Sequence, residues 1–281
     1  MALRIRPADP SVTPPPRVVG GREAAPPEWQ AWSEEPGVEL VATDDGHVVG
    51  GIHVSMVGRG QAWMECLRVD PAARGRGIAG QLVREAEAVA RRYGAAVMRA
   101  GIPSGEYAGL AVAERAGYRP LARCAVVVAA AAGVAVPVGA AADVLPASRA
   151  SEVMHLARAS PTLAAWQGVI PLGWRFRRLV PELVRGLARD RRVVVARHPA
   201  SADLAVAVYA HRGEAVVLSW VDGPPDGQQA VVGWVMEQVR PARLVAFTPD
   251  LALLAFLPSS AWQPHPWCPD GLVVVHKSLA S

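Results

Sequence analysis

Residues 66–92 read CLRVDPAARGRGIAGQLVREAEAVARR, and within them Arg74-Gly75-Arg76-Gly77-Ile78-Ala79-Gly80 places three glycines and two arginines where an alternating pattern turns helical. A turn alone needs one or two glycines. The N-terminus of a helix presents about four unpaired N–H groups and roughly half a positive charge. Glycines would let those amides close around an anion, and Arg74 and Arg76 would add charge. The chemistry implied is the holding of a phosphate. The plain alternative is a loop that only joins strand to helix and carries surface arginines. Two other phosphate loops do not fit. There is no Gly-Lys-Ser/Thr of the Walker type, and Gly75, Gly77 and Gly80 follow hairpin-connected strands rather than a βαβ unit.

The elements that must position this loop can be read on either side of it. Residues 3–6 alternate as a short strand, and 7–36 are proline-rich. The stretch GVELVATDDGHVVGGIHVSMVGRGQAWMECLRVD predicts three strands joined at Asp44-Asp45-Gly46 and Gly58-Arg59-Gly60. Ile78, Leu82, Val83, Ala86, Val89 and Ala90 predict one buried face of a helix that stops at Gly94. A strand at 95–100, a short helix near 107–116 and a strand at 121–129 follow. The apolar but alanine-rich run 124–146 contains Pro137 and lacks an aromatic belt, so it reads as a strand entering a linker rather than a membrane span. Beyond it, helices are expected near 148–158, 174–190, 227–239 and 249–257, with strands at 192–197, 203–210, 214–221, 243–247 and 272–277.

That second series repeats the first. RGQAWMECLRVD (59–70) lies over RGEAVVLSWVD (212–222), and LAVAERAGYRP (110–120) over LAFLPSSAWQP (254–264), which aligns Tyr118 with Trp262. The expected organisation is a first α/β copy at 1–130, an Ala/Gly/Pro linker at 131–146 and a second copy at 147–281. The first copy has one residue more between its glycine turn and Asp70 than the second has before Asp222, which suggests a β-bulge in the first. The glycine loop itself is replaced by VDGPPDGQQAVV at 221–232, without either arginine and with Asp226 near the helix start. If the first loop holds an anion, the second is expected not to.

Leu67-Arg68-Val69-Asp70-Pro71 followed by Arg74-Gly75-Arg76-Gly77-Ile78-Ala79 resembles the acyl-CoA-binding signature of the GNAT superfamily of N-acetyltransferases. The resemblance is good over 38–129 and faint over 147–278. It implies an α/β (α+β) fold of two tandem GNAT-like domains, each a mixed, mostly antiparallel sheet flanked by helices, the second degenerate. It further implies an acyl-CoA-dependent N-acyltransferase, with acetyl-CoA as cosubstrate and an amine as acceptor, working by direct transfer. The amides of Gly75 to Gly80 would hold the pyrophosphate, beside Arg74 and Arg76. The backbone around Leu67, Arg68 and Val69 would pair with the pantetheine and polarise the thioester carbonyl.

Direct transfer needs a base for the amine and an acid for the departing thiolate. The family commonly places a tyrosine four residues before the Gly-aromatic pair, but Ala113 stands there in this chain. Tyr107, earlier on the same short helix, is the substitute candidate for the acid, or else a packing aromatic. Glu65, on the strand entering the bulge, is a base acting directly or through water, or else half of a structural ion pair. His53 on the preceding strand is a third candidate, and Tyr118 reads as core. Cys66 has no histidine signature near it, so no covalent mechanism is implied. The missing tyrosine keeps open a catalytically idle acyl-CoA-binding or sensing protein.

The bulk numbers narrow the partners. Net charge is +4, every basic residue but Lys277 is an arginine, and no long basic run occurs, which does not suggest nucleic-acid binding. Three widely spaced cysteines without a CxxC argue against a disulfide framework or zinc site and fit a reducing compartment. MALRIRPADP has no apolar core of a signal peptide. A cytoplasmic, metal-free monomer that binds no membrane is the expectation. Trp166, Trp174, Trp220, Trp234, Trp262 and Trp267 crowd the second copy. They read as filler for an alanine-rich core, or as the wall of a cleft for an apolar amine.

Overall fold

A computed structural model describes residues 3–8, 37–133, 142–197 and 203–280. Contacts divide the chain into two units, Met1–Pro120 together with Val274–Ser281, and Leu121–Val273. Among the described residues no helix is long and apolar enough to cross a membrane. The residues 9–36 and 134–141, which include most of the proline-rich segment and much of the expected linker, lie outside the described set.

In the first unit, β1 (Arg4–Pro7), β2 (Val38–Asp44), β3 (His47–Gly58) and β4 (Gln61–Val69) form an antiparallel run, with the two expected hairpin turns between β2, β3 and β4. Helix α1 (Ile78–Arg92) crosses over to β5 (Val97–Pro103), which lies parallel to β4, and α2 (Tyr107–Arg115) follows. All six apolar residues of the expected α1 face are buried. Gly50 of β3 admits that face closely, since a Cβ there would stand 3.2 Å from Leu82 Cδ1. Arg91 and Arg92 occupy the last turn, where the carbonyl end of the helix favours cations.

The strand beyond β5 comes from far along the sequence. It is β15 (Leu272–Ser278), whose residues from Val274 onward belong to this unit. The chain's one lysine holds it there. Lys277 Nζ donates to Glu87 Oε1 at 2.7 Å and Oε2 at 2.9 Å, and to the Ala116 carbonyl at 2.7 Å. Glu87 is a buried carboxylate on the packed face of α1, where Arg91 also reaches Oε2 at 3.4 Å, so the closer lysine supplies most of the compensation for its charge. Lys277→Met is expected to cost about 3 kcal/mol, the low end for a broken buried pair because the lysine keeps some exposure. The measurement is a denaturation midpoint, and Glu87→Gln in the same chain should recover much of the loss.

The second unit repeats the plan. β7 (Ala142–Val144), β10 (Val193–Arg197), β11 (Leu204–Arg212) and β12 (Ala215–Asp222) run antiparallel, and α6 (Pro225–Val239) crosses to a parallel β13 (Arg243–Thr248). β6 (Arg119–Ala130), which enters this unit at Leu121, closes the far side against β13 and also takes β14 (Gln263–Pro264). The order β7-β10-β11-β12-β13-β6 thus matches β1-β2-β3-β4-β5-β15. Each sheet is closed by the strand that the sequence order would assign to the other copy.

Three expected elements differ. Ala142–Val144, expected in the linker, is a strand because Ala142 and Val144 pair with Ala196 and Val194. The expected helix 174–190 is a hairpin followed by a helix. β8 (Val169–Leu172) turns at Gly173 (φ +68°) into β9 (Arg175–Arg178), and α5 (Pro181–Arg189) begins only at the proline, which suits a first helical turn. Residues 249–257 hold a single 3₁₀ turn at Leu251–Leu253, and Leu254, Phe256 and Leu257 reach the core from irregular backbone. Helices α3 (Ala150–Ala159) and α4 (Pro161–Ala165) pack beside α5 and under β10 to β12, around the fully buried Trp220.

Candidate active site

The bulge is present in β4. His53 pairs with Glu65 and Gly51 with Arg68, so Cys66 and Leu67 together oppose Ile52. Cys66 takes φ +58°, a left-handed backbone that a non-glycine residue adopts at a cost of about 1–2 kcal/mol. The reason given for it from chain length does not hold, because β12 carries a bulge too. Val208 pairs with Trp220 and Tyr209 with Leu218, leaving Ser219 over. The one residue more between Gly60 and Asp70 is therefore not what makes the bulge, and nearer the turn a second irregularity leaves Val57 spare on β3 between the pairs Met56–Ala62 and Gly58–Gln61. Only the first bulge uses a left-handed residue.

Shortly before the bulge, past Trp63, the pairing of β4 with β5 ends. Their parallel register runs Gln61–Val97, Ala62–Met98 and Trp63–Arg99, whereas the strands continue to Val69 and Pro103. Beyond the paired stretch Cys66 to Val69 and Gly101 to Pro103 are only half-buried. At the end of β4 the chain makes one 3₁₀ turn, capped by the Asp70 carboxylate accepting from Ala72 N at 2.8 Å, and enters the glycine loop. Gly75 (φ +79°) and Gly77 (φ +77°) are both left-handed, and a Cβ on either would meet nothing within 4 Å. These glycines therefore do not make room for another part of the protein. They leave exposed space in front of the first amides of α1, whose first bond back to the loop is Gln81 N to Gly77 O at 3.2 Å.

Arg74 to Gly77 are exposed, Ile78 is buried, and Ala79 and Gly80 are half-buried. Arg74 Nε donates to the Val69 carbonyl at 3.2 Å, which lays its side chain back over the end of β4. Arg76 pairs with Asp44 of the first hairpin at 2.8 Å, so part of its charge is spent on fixing the loop to β2. Leu67 and Val69 stand on the diverging part of β4, and Arg68 Nη1 donates to the Leu67 carbonyl at 3.1 Å.

Two separate sequence candidates prove to be one. His53 Nδ1 lies 2.9 Å from Glu65 Oε1, and both side chains are buried. Glu65 is the last residue before the bulge, on the strand that borders the opening. Tyr107 is not brought to this pair. It is 79% exposed at the first position of α2, just after β5, and Ala113 is buried on that helix. Tyr118 is core, as expected, and burial followed by the nearby Glu87 charge raises its phenol far above the usual range. Burial likewise raises the Cys124 thiol, and pushes Cys268 up to about 12. Cys66 is half-buried, and none of the three cysteines is in a disulfide.

The corresponding ground in the second unit is filled. β12 and β13 pair up to Leu218–Ala246, and beyond that point Ser219, Trp220, Val221, Phe247 and Thr248 are all buried. Trp174 from the turn of the β8–β9 hairpin meets Phe247 edge-on at 5.1 Å, and Phe176 meets it at 5.8 Å. Trp174 also carries His265 at 4.9 Å and Trp267 at 5.0 Å. Trp262 is in the core against Phe256. These tryptophans pack their own unit, as the filler reading expects.

The second loop is closed as well. Pro224 and Pro225 remove two amides at the start of α6, and Asp226 stands in the first turn. Its glycines are there for contact: a Cβ on Gly223 or Gly227 would come within 2.6 Å of Ala205. Gln228 bridges the loop, donating to Gly223 O at 3.0 Å and accepting from Ala255 N at 3.0 Å.

Comparison with known proteins bears on the family and the fold. Residues 10–118 match the model of the acetyltransferase (GNAT) family. No curated protein matches the sequence at a significant level. Among solved structures, a tandem GNAT protein from the clavulanic acid biosynthesis pathway is similar over 100% of this chain and 99% of that one, at 15% identity and TM-score 0.53. A GCN5-related N-acetyltransferase from Sphaerobacter thermophilus is similar over 99% of this chain and 96% of that one, at 15% identity and TM-score 0.63. A glucosamine N-acetyltransferase region of a fungal multi-domain glycosidase covers 98% of this chain with 38% of its own, at 12% identity and TM-score 0.64. At these identities the likeness is one of fold.

Proposed function

Since residues 10–118 match the acetyltransferase (GNAT) family model and the whole chain has the tandem GNAT fold, we propose that this protein transfers an acetyl group from acetyl-CoA directly to an amine, with the chemistry confined to its first copy. The observation that carries the reading is the contrast between the two loops. Gly75 and Gly77 hold open space before a helix N-terminus, whereas the prolines and packed glycines of 223–227 close it.

In this reading the amides from Gly75 to Gly80 hold the pyrophosphate, with Arg74 and Arg76 adding charge. The backbone of Leu67, Arg68 and Val69, turned outward by the bulge, pairs with the pantetheine arm. Acetyl-CoA supplies the activated acyl group. Glu65 takes the proton of the attacking amine, and Tyr107 protonates the departing thiolate. Its exposure leaves water as the competing donor. Tyr107→Phe separates the two: a tenfold or greater fall in kcat assigns the proton to the phenol, and retained turnover assigns it to water.

Ala113, in place of the usual tyrosine, favours a second reading, an idle protein that binds acyl-CoA without turnover. A thermal-shift titration with acetyl-CoA, followed by CoA release with a panel of primary amines, decides between them. A shift with turnover supports the transferase, a shift with no acceptor supports the idle reading, and no shift at saturating acetyl-CoA overturns both.

A further inference from the structure

The buried pair at His53 and Glu65 carries more than the assignment of a base. Glu65 lies on β4, whose other neighbour is β5, so it borders the opening where the strands part. His53 lies on β3, on the far side of β4 from that opening. The imidazole therefore stands behind the carboxylate as seen from the opening. A carboxylate that acts as a base only accepts, so the 2.9 Å contact has Nδ1–H donating to Oε1. That bond fixes the rotation of the carboxylate.

A second feature, just before a third strand, bears on the place of the ring. Gly37 precedes β2, and a Cβ there would lie 2.2 Å from His53 Nε2, 2.6 Å from Cε1 and 2.6 Å from the Val54 carbonyl oxygen of β3. A side chain at position 37 would press on both the ring and the β3 backbone beside it, and so shift the ring from the place where Nδ1 meets Glu65. The sequence thus supplies a donor on β3, an acceptor on β4 and, just before β2, the clearance that the donor requires.

We infer that His53 is the positioning residue of the acyl transfer, holding Glu65 in the orientation in which it takes the proton from the acceptor amine, with Gly37 keeping its seat. The inference rests on the transferase reading above. His53 touches Glu65 and not the reacting atoms, so its loss acts on kcat and leaves acetyl-CoA binding alone.

The test compares His53→Ala, His53→Asn and Gly37→Ala with the wild type, using amine-dependent CoA release and the thermal shift given by acetyl-CoA. A misaligned base is expected to lower kcat roughly 10- to 100-fold in His53→Ala, with the acetyl-CoA shift and its KM unchanged. Asn places an amide N–H where Nδ1–H stood, so His53→Asn is expected to recover to within about threefold of the wild type. Gly37→Ala keeps both members of the pair and is expected to lower kcat like His53→Ala. Full turnover in His53→Ala overturns the inference and leaves the transferase reading standing. So does an asparagine variant that binds acetyl-CoA normally but is as slow as the alanine variant. Should His53→Ala fail to fold, Gly37→Ala and His53→Asn decide alone, and wild-type kcat in Gly37→Ala overturns the inference. A wild type that binds acetyl-CoA and acetylates no amine overturns the transferase reading and this inference together.

Discussion

Glu65→Gln is expected to lower kcat by about 100-fold or more while leaving acetyl-CoA binding at the wild-type level. The substitution is nearly isosteric, and the glutamine oxygen still accepts from His53 Nδ1, so the buried contact at 2.9 Å survives. What is lost is the ability to take a proton. A hundredfold loss corresponds to about 2.7 kcal/mol of transition-state stabilisation, well above what a surface substitution changes. Measured kcat and a thermal-shift titration on the same preparation check both halves. Turnover within threefold of the wild type would remove Glu65 from the proton transfer and return the pair to a structural ion pair.

Gly77→Glu is expected to abolish binding. Gly77 is the residue just before α1 and adopts φ +77° and ψ 6°. A Cβ there meets no atom within 4 Å, so the main cost to the folded protein is that of a left-handed residue, about 1–2 kcal/mol. The carboxylate, however, stands where the amides would receive a pyrophosphate. At a hundredfold excess over Kd, ligand stabilises a folded protein by about 2.7 kcal/mol, several degrees for a chain of this size. Gly77→Glu should show none of that shift, and Gly77→Ala should keep part of it. The same titration on Asp226→Asn should match the wild type, because the loop before α6 is closed by its own prolines and by Gln228. A full shift in Gly77→Glu would mean that the phosphates sit elsewhere.

Much of the first copy is legible because its signals are local. Alternation and two glycine turns define β2 to β4, and a period near 3.6 defines α1 with its six buried apolar residues. The seventh buried residue, Glu87, is not legible. Its partner Lys277 lies 190 positions away, and only its being the one lysine sets it apart. Nor could the His53–Glu65 pair be read by counting. A two-residue turn at Arg59-Gly60, followed by an unbroken ladder, would set His53 opposite Cys66. The spare Val57 slips the register by one and places Glu65 there, and the bulge at Cys66 then slips it back. Two irregularities that cancel over the strand's length leave no trace at its ends. The second copy misled for a related reason. Apolar residues at 172–176 and 251–257 were compatible with helices, but a left-handed Gly173 makes the first a hairpin and the second stays irregular.

The strand bordering β5 also sets a timetable. During translation the glycine loop, α1 and β5 are all made early, yet Val274 to Ser278 follow only after the whole of Leu121–Val273. At about 5–20 residues per second the ribosome needs on the order of ten to thirty seconds to cover that distance. Throughout that interval β5 has an open edge and Glu87 has no lysine. A nascent chain stopped before residue 274 would carry every residue of the glycine loop and still lack the strand and the cation that complete the sheet behind it. Ligand binding should therefore appear in such chains late and abruptly, set by the passage of one short strand rather than by the synthesis of the loop itself.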